Sequence, residues 1–267
     1  MTSTSTAFAT ARAEGRAALI GYLPAGYPSV DGSIEAMKVM VEAGCDAIEI
    51  GLPYSDPVMD GPTIQAAAQA ALDGGVRTSD VMRVVAEVAA TDVPTLVMTY
   101  WNPVERYGVE RFAADLAAAG GAGLITPDIT PDHGAEWIAA ADEHGLDKVF
   151  LVAPSSTDDR IAMTAHESRG FVYAAAVMGV TGARDATSDL AGPLVDRVRS
   201  AGDVPVAVGI GVSNGDQAAE VAGFADGVIV GSAFVRCLLD HEGDLPAGLD
   251  ALRSLTTDLA EGVRRAR

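Results

Sequence analysis

Ala47-Ile-Glu-Ile-Gly51-Leu-Pro-Tyr-Ser-Asp-Pro-Val-Met-Asp60-Gly-Pro62 reads as a short β-strand, a long turn-rich loop and the start of a helix that runs on to about Leu72. Within the strand, alternation puts Ile48 and Ile50 on one face and Glu49 on the other. The isoleucines suit a layer of surrounding helices, which turns Glu49 towards the interior of a sheet that must close on itself. The same strand-then-helix unit recurs along the chain. Strands are expected at Ala18 to Leu23, Ala47 to Gly51, Thr95 to Tyr100, Gly123 to Pro127, Lys148 to Ala153, Phe171 to Val177, Pro205 to Gly209 and Gly227 to Val230. Eight such units indicate a closed parallel (β/α)8 TIM barrel, whereas an open doubly wound sheet usually has fewer strands.

Working outward, the 267 residues fit one barrel domain over 1–267, with 1–15 as a Thr/Ser-rich tail leading into a short helix near Phe8. A hydrophobic fraction of 49% is ample for a core, and no apolar run is long enough to span a bilayer. The opening Met1-Thr-Ser-Thr-Ser-Thr6 lacks the basic and apolar regions of a secretory signal. With only Cys45 and Cys237 present, a reducing cytoplasm is expected. A net charge of −19 argues against nucleic acid as a partner, because phosphate backbones are held by clustered Lys and Arg.

The spacing of strands locates function. Most successive strand starts lie 22 to 29 residues apart, but 48 separate strands 2 and 3, and 34 separate strands 6 and 7. Long βα loops in barrels serve the catalytic face. The first excess holds Leu52 to Asp60 and the extra helix from Pro62; the second holds Gly179-Val-Thr-Gly182-Ala-Arg-Asp185. Three glycine clusters, Gly179 to Gly182, Gly209-Ile-Gly211 and Gly231-Ser232, follow late strands. Glycine lets backbone N–H groups approach an anion, and a helix N-terminus adds a favourable partial charge. Ser232 is expected to cap a second extra helix, Ala233 to about Asp240, before the final helix from Leu249. Together these features predict a phosphate site.

Three chemistries could break a C–C bond here. A Schiff base needs a lysine at a strand's C-terminal end, yet Lys38 falls in a helix and Lys148 begins strand 5 at the opposite face. A metal enolate route needs convergent ligands, and His133, His144, His166 and His241 lie in or beside helices without paired spacing. Carboxylates remain. An inward Glu49 is costly unless protonated, paired or used, and no expected strand contains an arginine to pair it. Asp60 closes the long loop after the same strand, where a turn or capping role competes with a catalytic one. Asp56, before Pro57, is the better turn residue.

Taken together, these residues resemble the α subunit family of tryptophan synthase. The likeness runs through Ala18 to Pro28, Glu49 to Gln65, Met98-Thr-Tyr-Trp-Asn-Pro103, Gly179 to Gly182, Gly209 to Ser213 and Val230 to Ser232. It implies a lyase of tryptophan biosynthesis that cleaves indole-3-glycerol phosphate into indole and glyceraldehyde 3-phosphate. By that resemblance Glu49 is the acid–base residue and Asp60 accepts the indole N–H. Tyr173 positions substrate or Glu49, Tyr100 and Ile64 wall the indole site, and Thr181 belongs to a closing loop. Gly182, Gly211, Gly231 and Ser232 take the phosphate. No metal and no cofactor are implied on this chain; pyridoxal phosphate belongs to a β subunit, with which an α2β2 heterotetramer is expected. Val177 and Met178 depart from the family's usual residues, as do Met59 and Asp128-Ile-Thr-Pro131, which bears on loop closure and partner contact. Another phosphate-binding barrel, such as an isomerase, and a subunit that only activates a β partner are the competing readings.

Overall fold

A computed structural model describes residues 3–175 and 188–266. Eight parallel strands close in chain order: β1 (Ala18–Pro24), β2 (Ala47–Gly51), β3 (Thr95–Met98), β4 (Gly123–Thr126), β5 (Asp147–Val152), β6 (Val172–Ala175), β7 (Val206–Gly209) and β8 (Gly227–Val230). Pairing of Ala18 with Gly227 shuts the seam between β8 and β1. The described helices are α1 (Thr4–Ala13), α2 (Val30–Ala43), α3 (Pro62–Asp73), α4 (Thr78–Ala89), α5 (Trp101–Tyr107), α6 (Val109–Ala118), α7 (Ala135–Glu143), α8 (Asp158–Glu167), α9 (Ser188–Ala201), α10 (Gly215–Ala222), α11 (Ser232–Leu239) and α12 (Leu245–Arg265). A 3-10 turn, Pro131–His133, precedes α7.

Strand alternation divides the apolar residues into two clusters. Ile48, Ile50, Phe112, Trp137 and Phe234 belong to the layer between barrel and helices. Ile20, Ala47, Leu96, Ile125, Val149, Phe171, Ala207 and Ile229 fill the interior. The expected inward turn of Glu49 follows from the same parity: it is fully buried, on the face opposite Ile48 and Ile50.

The N-terminal end of the barrel is sealed by α1. Phe8 and Ala11 join the interior cluster, and Phe8 meets Phe171 with ring centroids 5.4 Å apart. The absence of a side chain at Gly227 admits the ring, since a Cβ there would lie 2.9 Å from Phe8 Cε1. Polar contacts fasten the same end. The Arg16 guanidinium forks onto Asp46 at 2.6 and 2.7 Å, and Asp46 also accepts the Leu19 N–H at 2.8 Å. Asp147, the first residue of β5, accepts the Thr4 N–H at the start of α1.

Extra helices follow strands 2 and 8 as expected, but three details differ from the sequence reading. Strand 3 stops at Met98, and an unexpected helix, α5, begins at Trp101; its Pro103 is tolerated because the first turn needs no N–H from that residue. The Trp101 N–H is instead taken by the Asp128 carboxylate at 2.9 and 3.1 Å. Ser232 is the first residue of α11 and not its cap, which is Gly231. Helix α12 begins at Leu245, four residues early, where Asp244 accepts the Ala247 N–H and Pro246 sits in the first turn.

Phe8 is the main plug of the barrel floor, so Phe8→Ala is expected to destabilise the fold by about 3–5 kcal/mol. Urea denaturation followed by circular dichroism measures it; a loss below about 1 kcal/mol would mean that α1 does not close the barrel.

Candidate active site

At the other end of the barrel, one cavity of about 180 Å³ opens over the C-terminal ends of the strands. Its walls include Glu49, Asp60, Ile64, Tyr100 and Tyr173 from the sequence reading, together with Gly211, Gly231 and Ser232. Thus the two carboxylates and the glycines expected to take phosphate share one space. Thr181 and Gly182, with Val177 and Met178, lie outside the described residues.

Glu49 stands at the middle of β2, level with Tyr22 of β1 and Leu96 of β3. Among the described residues neither carboxylate oxygen has a hydrogen-bond partner, and burial alone pushes its pKa up to about 8. Among the described residues no arginine pairs with it, which argues against a structural glutamate held by an interior arginine, and burial favours its protonated form at neutral pH. Beside it, the Tyr173 ring rests on Gly209, where any Cβ would collide with the phenol. Burial, and then the nearby Glu49, hold the Tyr173 phenol far above its ordinary pKa, so it stays a neutral hydrogen-bond donor.

Asp60 lies in the loop between β2 and α3. Burial raises its pKa, and a hydrogen bond from the Tyr100 hydroxyl, 3.1 Å from Oδ1, opposes that rise. The same hydroxyl accepts the Met59 N–H at 2.9 Å, so Tyr100 pins the loop that carries Asp60. Burial pushes the Tyr100 phenol up to about 12. Gln65 holds the Asp60 carbonyl from α3 at 2.7 Å, and Gly61 with Pro62 starts that helix directly after the carboxylate.

The far end of the cavity is built from backbone. Gly211 adopts φ +79°, a left-handed conformation that favours glycine, and Gly231 caps α11. The first N–H groups of α11, beginning with Ser232, have no acceptor within their own helix and point where an anion is stabilised. Among the described residues no cluster of three or more His, Cys, Asp or Glu could hold a metal. Lys38 pairs with Glu87 and Lys148 with Asp142, both away from the cavity walls.

Several wall residues were missed from sequence: Tyr22, Met98, Leu151, Ile210 and Ile229. Strand parity marks Tyr22, Met98, Leu151 and Ile229 as inward, but only the register shows which reach the level of Glu49, and Ile210 follows the end of β7, where parity no longer applies. Asp128, read only as part of an atypical loop, proves to hold the start of α5.

A family model described as tryptophan synthase alpha chain matches residues 8–264. The tryptophan synthase alpha chain of Salinispora arenicola (strain CNS-205) is 64% identical over 264 residues, covering 99% of this chain and 98% of its own. That of Nocardia farcinica (strain IFM 10152) is 61% identical, covering 97% of this chain and 95% of its own. A solved structure of Mycobacterium tuberculosis tryptophan synthase superimposes with a TM-score of 0.92 at 56% identity, covering 99% of both chains.

Burial of Glu49 has a measurable cost. In the unfolded chain it ionises near 4.5, but in the fold only near 8, so between these values the folded state holds a proton the unfolded state has lost. Its contribution to stability therefore falls as pH rises from about 4.5 to 8, by on the order of 4 kcal/mol. Glu49→Gln removes that titration, and the decline in melting temperature across this window is expected to flatten. An unchanged pH dependence would mean that Glu49 ionises normally.

Proposed function

This chain belongs to the tryptophan synthase alpha chain family, and from that premise we propose that Glu49 and Asp60 divide the work of its reaction. The enzyme is a lyase of tryptophan biosynthesis that cleaves indole-3-glycerol phosphate to indole and glyceraldehyde 3-phosphate. The observation that carries the assignment is the pairing, in one cavity, of a carboxyl kept protonated by burial with a second carboxylate that receives a phenol hydrogen bond.

Glu49 enters as the acid and gives its proton to C3 of the indole, creating an indolenine cation. The ionised Asp60 accepts the N–H of that cation and stabilises its charge. Glu49, now a carboxylate, takes the proton of the glycerol hydroxyl next to the ring. The C–C bond breaks, its electron pair returns to the indole ring, and the aldehyde leaves as glyceraldehyde 3-phosphate. Tyr173 orients Glu49 or the substrate, and Ile64 and Tyr100 flank the indole. Gly211, Gly231 and Ser232 take the phosphate, with Gly182 and Thr181 assigned to the same substrate by resemblance alone.

The reading extends to a partner. The chain is taken to work in an α2β2 heterotetramer, passing indole to a β subunit that alone carries pyridoxal phosphate. Support comes from the exposed apolar pair beside the cavity mouth, Val58 at 80% and Met59 at 39% exposure, and from the absence of either lysine from the cavity walls. No helix among the described residues is long and apolar enough to cross a membrane. Free thiols at Cys45 and Cys237 favour the reducing cytoplasm.

Indole release from indole-3-glycerol phosphate, with and without a tryptophan synthase β subunit, tests the scheme. Wild type is expected to be slow alone and faster with the partner, while Glu49→Gln and Asp60→Asn lose at least about 10²-fold in kcat yet stay folded. Full activity in Glu49→Gln would overturn the mechanism. For wild type, kcat/KM is expected to fall above about pH 8 as Glu49 loses its proton, and a flat alkaline limb would contradict the acid role.

A further inference from the structure

Alternation in β1 turns Ala18, Ile20 and Tyr22 inward, and register sets Tyr22 level with Glu49. The Tyr22 side chain spans the cavity wall between its two functional ends. Near its base, a Cβ on Gly231 would lie 3.4 Å from Tyr22 Cδ1; at its tip, any Cβ on Gly51 would collide with the hydroxyl. Two strand-end glycines thus make the bed in which this ring lies. They place its hydroxyl at the end of β2, beside the loop that carries Asp60.

That hydroxyl makes no hydrogen bond among the described residues, although it lies in a cavity with two carboxyl groups. Burial above all holds the phenol neutral, and the Asp60 and then the Glu49 carboxyl add to that effect. It is therefore a donor facing acceptors. Asp60, for its part, accepts one phenol, that of Tyr100, while a carboxylate can accept about four hydrogen bonds. The titratable groups around Asp60 are Tyr22 from β1, Glu49 from β2, Tyr100 after β3 and, beyond Glu49, Tyr173 from β6. No Lys, Arg or His lines the cavity among the described residues. With no cation on the described walls, fixed hydroxyl donors are what can offset the burial of an ionised Asp60.

We propose that Tyr22 is a positioning residue whose hydroxyl donates to Asp60 in the substrate-bound enzyme, forming with Tyr100 a two-phenol clamp that keeps Asp60 ionised beside the protonated Glu49. The inference rests on the proposed role of Asp60 and adds to it the means by which that carboxylate stays charged. It also divides the labour of the tyrosines: Tyr22 and Tyr100 serve Asp60, while Tyr173 serves Glu49. The ring of Tyr22 contributes packing, and only its oxygen contributes to the clamp.

Tyr22→Phe removes that oxygen and adds no atom, so the melting temperature and inhibition by inorganic phosphate are expected to match wild type. The acid limb of kcat/KM is expected to move up by about one pH unit, because Asp60 without the donor holds its proton to higher pH. The rate at neutral pH should fall about tenfold. Tyr100→Phe, which removes the observed donor, calibrates the size of the shift. In an Asp60→Asn background, Tyr22→Phe should change kcat/KM by less than about twofold. An acid limb left at its wild-type position, or a full tenfold loss in the Asp60→Asn background, overturns the clamp. If Asp60→Asn by itself keeps wild-type activity, the role of Asp60 fails instead, so the two failures are distinguishable.

Discussion

The fold is organised around a carboxyl group that has been taken out of water with no hydrogen-bond partner among the described residues. Glu49 is fully buried, both its oxygens lack hydrogen bonds among the described residues, and burial raises its pKa to about 8. Such a group is a liability anywhere else in a protein. Here it demands a wall that excludes water, neighbours that do not titrate, and stability drawn from a distance. The closed sheet supplies the first. The phenols of Tyr22 and Tyr173, held neutral by the same burial, supply the second.

Stability comes from the opposite end of the barrel. Phe8 fills the floor against Phe171, Arg16 forks onto Asp46, and Lys148 at the base of β5 pairs with Asp142. These contacts are ordinary in kind: aromatic burial and ion pairs with short partners. Their placement separates the residues that hold the barrel shut from those that line its mouth. Glycine is used differently at the mouth. Gly51 and Gly209 end their strands where a tyrosine must cross, so the bulk of each ring can lie against bare backbone and deliver its hydroxyl to the cavity.

Period-two alternation was enough to turn Glu49 inward, and the count of strand–helix units was enough to close the barrel. Both rest on local rules that hold wherever a sheet is covered on one face. Tyr22 obeyed the same parity and was still missed, because parity says which face a residue takes and not which residues of eight staggered strands come level. That depends on register, here Tyr22 against Glu49, which is a property of the closed sheet. Helix starts were legible less well: α5 was not expected and α12 was expected four residues later. Pro103 and Pro246 each sit in a first helical turn, where a missing N–H costs nothing, so helices start there without a Ser or Thr signal. Ser232 was read as a cap from its residue type, although Gly231, with φ −126° and ψ −76°, takes the non-helical position.

The absence of basic side chains from the described cavity walls follows from the chemistry assigned to it. An arginine or lysine beside Glu49 would stabilise its carboxylate and return its pKa towards 4.5, leaving no proton to give at neutral pH. The same cation beside Asp60 would keep that group ionised but would also repel the positive charge that protonation at C3 places on the indole. Hydrogen bonds from neutral phenols meet both conditions. They favour the ionised form of the carboxylate that receives them, and they add no net charge to oppose an indolenine cation. A phosphate on the same substrate can be held through glycine backbone and the N-terminus of α11, at the far end of the cavity, where partial charges suffice. The lack of Lys and Arg on the described cavity walls and the tyrosine lining of the cavity are in this sense two sides of one electrostatic requirement.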